Sequence, residues 1–263
     1  DPFEYIWIDE GLAGLSEFIS FGVSAELEEE ANAWALNSST SLRWWDGRDS
    51  DIGSSFLFSA YLADKLGGPT AIRQLVSNPS LGGNGVESLT RSPGPGSTPV
   101  GTSMSEVFAN FSAALTLDSA QGAFGFSDLD LVDDCSNGGF CKVSISAEND
   151  QWSEAWQSSG HSVEGWGLKS FRFTQGDGYP LSIMVQPDRF GFEGAILSKE
   201  ESSGTWTMDE LRIDSSDGRG TGLVHGFGNT TSEVLLLVWY NSLVDDCDFD
   251  FANCGVLSGG NYP

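Results

Sequence analysis

The hydrophobic pattern changes period part-way along the chain, and this change limits the fold more than any other feature. Up to about Leu115 apolar residues recur at helical spacing, as in Phe56, Leu57, Ala60, Tyr61 and Ala63. Beyond Lys142 they alternate, as in Leu168-Lys169-Ser170-Phe171-Arg172-Phe173. Helices bury residues three and four apart and strands bury every second one, so a helical part is followed by a sheet part. The predicted class is α+β: 1–120 helical, 121–141 a linker with Cys135 and Cys141, and 142–263 an antiparallel β-sandwich of jelly-roll or Ig-like type.

Within the first part, Trp7 to Phe18 reads as a helix start carrying Glu10, with Leu12, Leu15, Ser16 and Ile19 on the buried face. Small Gly11, Ala13 and Gly14 allow another element to approach. Ser24 caps a second helix that continues to about Leu36, with acidic residues in its first turn. Paired Trp44 and Trp45 lie in a polar loop, placed to pack over the domain edge or to line a cleft. Ser54 to Leu66 is a helix stopped by Gly67-Gly68-Pro69, and Thr70 to Val76 a short one. Residues 77–101, rich in Gly, Pro and Ser, read as a surface loop. Ser103 and Glu106 form a capping box for a helix to about Leu115. The alternating segments are Gly167–Thr174, Leu181–Gln186 and Phe190–Phe192, and further strand candidates are Ala195–Leu197, Gly204–Met208, Gly222–Val224 and Val234–Tyr240.

The formal charge of −26, from 38 acidic and 12 basic residues, would repel a phosphate backbone and argues against nucleic-acid binding. No run reaches the roughly 18 apolar residues of a membrane span, and Val234 to Tyr240 has the length of a buried strand. The cysteines form two close pairs, Cys135 with Cys141 and Cys247 with Cys254, the pattern of two disulfides in an oxidising compartment, although four cysteines permit three connectivities. Asn37, Asn110 and Asn229 head glycosylation sequons. These features predict a secreted, extracellular or cell-surface protein. Asp1-Pro2-Phe3-Glu4 has no signal-peptide character, so the expectation is a processed chain or a fragment.

Three segments carry a family resemblance. Trp7-Ile8-Asp9-Glu10-Gly11-Leu12 matches the pattern Trp-(Leu/Ile)-(Asn/Asp)-Glu-Gly-Leu. Asp51 to Leu62 looks like a Tyr-Gly-Ala-Ser-Tyr-Leu-Phe helix, and Met104 to Phe111 like a closing Phe-x-x-Val-Phe-x-x-Trp helix. In this order they resemble the second half of the catalytic domain of secreted gluzincin-type zinc metallopeptidases, of the hyicolysin-like or immune-inhibitor-like sort. The resemblance implies a helical C-terminal subdomain with an appended β-sandwich. It implies that Glu10 is the third zinc ligand, with Asp9 in support, and that a His-Glu-x-x-His helix supplies two histidines and the general base. The substrate would be a protein or peptide.

This chain has no His-Glu-x-x-His, and its histidines, His161 and His225, both lie in the predicted sandwich. A catalytic zinc needs three protein ligands and an open position, so this chain alone is predicted inactive, its partner being the missing upstream catalytic half. Two positions depart from the family: Gly14 stands where an acid is common, with Glu17 placed on a different face, and Ile52 stands where Tyr is common. Calcium is a second cofactor expectation, at Asp128, Asp130, Asp133 and Asp134, or at Asp245, Asp246, Asp248 and Asp250. The first of these sets overlaps Leu131-Val132-Asp133-Asp134-Cys135, which recurs as Leu243 to Cys247. Two other readings come from different classes: a non-catalytic surface-layer or filament subunit that self-assembles at a cell surface, and a carbohydrate-binding module.

Overall fold

The computed structural model describes residues 4–119, 122–127, 129, 131, 145, 147–151 and 157–241. They form two compact units, the first ending at Ile145 and the second beginning beyond it. The cysteines and the eight aspartates named above lie outside the described residues.

Among its described residues the first unit has six helices: α1 (Ile6–Phe21), α2 (Ala25–Leu36), α3 (Asp49–Leu66), α4 (Pro69–Val76), α5 (Gly82–Arg91) and α6 (Met104–Leu117). Helix α3 is the centre. It is buried on all faces, including Ser50, Asp51, Ser54, Ser55 and Ser59, as a helix surrounded by other helices must be. Small residues bring its backbone against its neighbours: a Cβ on Gly53 would lie 2.0 Å from the Glu30 carbonyl oxygen of α2. Gly53→Ala is therefore expected to force α2 and α3 apart and destabilise this unit by about 1–3 kcal/mol, measured by thermal or urea unfolding. The N-terminus of α3 begins five residues before the sequence reading placed it. There the buried Asp51 carboxylate accepts the backbone N–H groups of Asp46 and Arg48, each at 3.0 Å.

The caps read from sequence are present. Ser24 Oγ accepts the Leu27 N–H at 3.1 Å, and Ser103 with Glu106 forms the capping box of α6. Trp45 is buried and Trp44 half-buried, so the pair packs on the unit. The expectation of a surface loop over 77–101 is corrected, because Gly82–Arg91 is helical despite three glycines. Packing overrides their poor propensity. Gly82, Gly83 and Gly85 are all buried, and a Cβ on Gly85 would lie 2.7 Å from the Ser80 carbonyl oxygen. The Gly82 N–H, an open donor at the start of α5, is met by Glu4 Oε1 at 2.8 Å.

Among its described residues the second unit has eight strands: β1 (Glu148–Gln151), β2 (Leu168–Thr174), β3 (Leu181–Val185), β4 (Phe192–Glu200), β5 (Trp206–Glu210), β6 (Arg212–Ile213), β7 (Gly220–Val224) and β8 (Thr231–Tyr240). They make a five-stranded sheet, β1-β2-β8-β4-β5, and a three-stranded sheet, β3-β7-β6. Pairing is antiparallel except that β1 runs parallel to β2. Phe171, Phe173, Ile196, Val234, Leu236 and Val238 from the first sheet share one core with Leu181, Ile183 and Val224 from the second. Helices plus antiparallel sheets make the chain α+β, as expected. In β8, Leu235, Leu237 and Trp239 on the opposite face are buried too, which explains its continuous apolar run. Among the described residues no helix is long and apolar enough to cross a membrane.

Candidate functional site

Helix α1 is held from its first turn. Trp7 and Ile8 are each 1% exposed, and the Trp7 ring meets Phe58 of α3 at 5.8 Å. The Arg43 guanidinium lies 6.0 Å from the Trp7 ring centroid. Gly11 lies against α3, where a Cβ would come within 2.4 Å of both the Ser55 carbonyl oxygen and Ser59 Oγ. This contact fixes the rotation of α1 and corrects the face expected from sequence. The buried stripe is Trp7, Ile8, Gly11, Gly14 and Leu15. Leu12 is half-buried, while Ser16 and Ala13 are exposed and Ile19 is 62% exposed. A stripe chosen by side-chain hydrophobicity missed that the glycine side is the inner one.

With α1 so turned, Glu10 is half-buried and Asp9 exposed. Gly14, one turn beyond Glu10, is closed by packing: a Cβ would lie 3.2 Å from Phe56 Cβ and 3.5 Å from Leu27 Cδ1. An acid cannot enter there without moving α2 or α3, which accounts for glycine at this position. Ile52 is half-buried in the first turn of α3.

Four carboxylates surround a fifth. The Glu30 carboxyl is pushed up to about 7, first by burial and then by the negative charges of Glu26, Asp49, Glu17 and Glu10. These groups come from α1, α2 and α3, so a shared field forms only when the three helices pack. Glu17 is exposed where Gly14 is buried, on a different face, and at seven residues, close to two helical turns, it lies on the side of Glu10, so both charges act on Glu30.

The consequence for stability has a definite sign. A carboxyl whose folded-state pKa is raised from 4.5 to about 7 stabilises the fold fully below 4.5, and this contribution is lost as pH rises through 7. Helical-unit stability is thus expected to fall between pH 5 and pH 8 by more in the native chain than in Glu30→Gln, with the variant the more stable at pH 8. Thermal melts across this range check it; parallel profiles would contradict it.

Glu10 offers one oxygen donor among further carboxylates. Among the described residues no three His, Cys, Asp or Glu converge to hold a metal ion, so these residues do not by themselves fit a zinc centre. Both histidines belong to the second unit. His161 Nε2 contacts Ser158 Oγ, with its ring edge-on to Phe171 at 5.1 Å, and His225 is exposed after β7. Of the sequon asparagines, Asn37 is exposed at the end of α2 and Asn229 is exposed in a turn. Asn110 lies within α6, its amide donating to the Val100 and Glu106 carbonyls at 3.2 and 2.9 Å. The charge cluster was missed in the sequence, although Glu10 and Glu17 at i and i+7, beside the acidic first half of α2, are its visible trace.

Compared with known proteins, the chain matches no family model, no curated protein and no solved structure.

Proposed function

We propose that this chain is the C-terminal portion of a secreted zinc metallopeptidase that hydrolyses peptide bonds, with Glu10 as the zinc ligand it contributes. The observation that supports the reading is the meeting of its three motif segments in one helical unit. Trp7 of α1 packs on Phe58 of α3 at 5.8 Å, and Phe58 packs edge-on to Phe111 of α6 at 5.1 Å. A scaffold that joins the three holds Glu10 on a fixed turn, as a ligand position requires. The other two ligands and the general base would come from a His-Glu-x-x-His segment that this chain lacks. Zinc bound there would polarise a peptide carbonyl and its attacking water. The second unit is read as an appended sandwich of jelly-roll or Ig-like type, supported by the core its two sheets share.

The test is zinc content and proteolysis of the polypeptide extended by its encoded upstream sequence. Glu10→Gln is expected to reduce bound zinc by at least about tenfold, in line with the loss of a direct ligand, and to abolish proteolysis. Unchanged zinc content would remove Glu10 from the site.

The packing around Gly14 favours a second reading, a non-catalytic extracellular structural or adhesive protein on the same scaffold. There α1 keeps the motif for packing alone. An upstream sequence without His-Glu-x-x-His, or ordered self-assembly that needs no metal, would select it.

A further inference from the structure

We propose that the second unit binds a neutral oligosaccharide in the cleft where its two sheets part. The cleft arises from one strand changing sheets. β5 pairs with β4, and β6, two residues on, pairs with β7. Leu211 between them is 5% exposed, belongs to the shared core, and donates its N–H to the Gly194 carbonyl at 2.8 Å. The crossing places Asp209 on one wall and Arg212 on the other, around a space of about 580 Å³. At its floor the sheets touch: a Cβ on Gly222 would lie 2.0 Å from Ile196 Cδ1. Thr221, paired in register with Arg212, and His225 complete the polar rim.

The lining selects a ligand class. Asp209 repels anions, and no three metal-ligating groups converge among the described residues. An apolar guest would strip water from a carboxylate and a guanidinium without replacing those hydrogen bonds. A sugar hydroxyl both donates and accepts. Adjacent hydroxyls can donate to the Asp209 carboxylate and accept from Arg212, whose side chains form no hydrogen bond or ion pair among the described residues. The C–H face of the ring would rest on the exposed Leu223. A volume of 580 Å³ falls in the range of small-ligand sites. A lysine-rich peptide would meet the like charge of Arg212.

The experiment screens the full chain against an array of neutral glucans, mannans, galactans and chitooligosaccharides, then titrates the best binder calorimetrically. Asp209→Asn and Arg212→Ala are each expected to weaken binding by about tenfold or more. Melting temperatures should stay unchanged, because both side chains are exposed. Thr221→Val supplies a third variant should either of these fail to fold. No glycan bound at millimolar concentration, equal binding by the variants, or preference for a pentalysine peptide would each overturn the proposal. Glu10→Gln should leave glycan binding intact, so this site and the zinc reading fail separately.

Discussion

Replacing Asp64 with alanine is expected to cost the helical unit roughly 3–5 kcal/mol, the usual cost of leaving one member of a buried ion pair behind. Lys65 is 2% exposed, and its Nζ lies 2.7 Å from Asp64 Oδ2. The same oxygen accepts the Ser127 N–H at 3.0 Å, a bond the substitution also removes. Lys65 cannot readily turn outward, because the following loop folds over the end of α3. The Thr98 N–H donates to the Lys65 carbonyl at 2.8 Å, and the Gly94 N–H donates to the Leu66 carbonyl at 3.0 Å. The double replacement Asp64→Leu with Lys65→Met is expected to recover most of the loss, since it removes both charges while keeping volume. Urea unfolding of the native chain and the two variants decides the matter. A loss below about 1 kcal/mol for Asp64→Ala would mean that the pair behaves as a solvated surface bridge.

The second large effect is expected at Phe111. Its side chain is fully buried, stacks on Trp34 at 5.8 Å with an interplanar angle of 13°, and meets Phe58, Tyr61 and Phe108 at 5.1, 5.6 and 6.1 Å. One ring therefore joins α2, α3 and α6. Phe111→Ala should cost roughly 3–5 kcal/mol, from lost burial and a cavity that rigid aromatic neighbours cannot close. Phe111→Leu, which keeps most of the volume, should cost less than half as much. Because Phe58 carries the contact onward to Trp7, loosening this hub should also loosen the turn that presents Glu10. Equal effects of the two variants in urea unfolding would contradict the role of the cavity.

Where local pattern and tertiary packing agree, the fold could be read in advance. Helices α2, α4 and α6, and strands β2, β3, β7 and β8, carry clear helical punctuation, alternation or, in β8, a continuous apolar run, and their extents lie within a few residues of the expected ones. The failures share a cause: each depends on a neighbour distant in sequence. Gly82–Arg91 looks like a loop until the burial of its glycines and the crowding at Gly85 are known. Strand β1, Glu-Asn-Asp-Gln, carries no hydrophobic signal, and β6 is two residues held by β7. The inner face of α1 is set by glycine contact with α3. Glu10 itself was legible as a motif residue, but its environment was not. Glu17, Glu26, Glu30 and Asp49 read singly as solvated charge and become one field only when three helices meet.

The central claim is that Glu10 completes a metal site whose other ligands lie on a segment this chain lacks. Zinc stoichiometry measures it most directly, on three proteins: this chain, the same chain extended by its encoded upstream sequence, and that extension carrying Glu10→Gln. The account predicts no tightly held zinc in the first, one equivalent in the second, and loss of it in the third. One equivalent retained by the Glu10→Gln protein would contradict it.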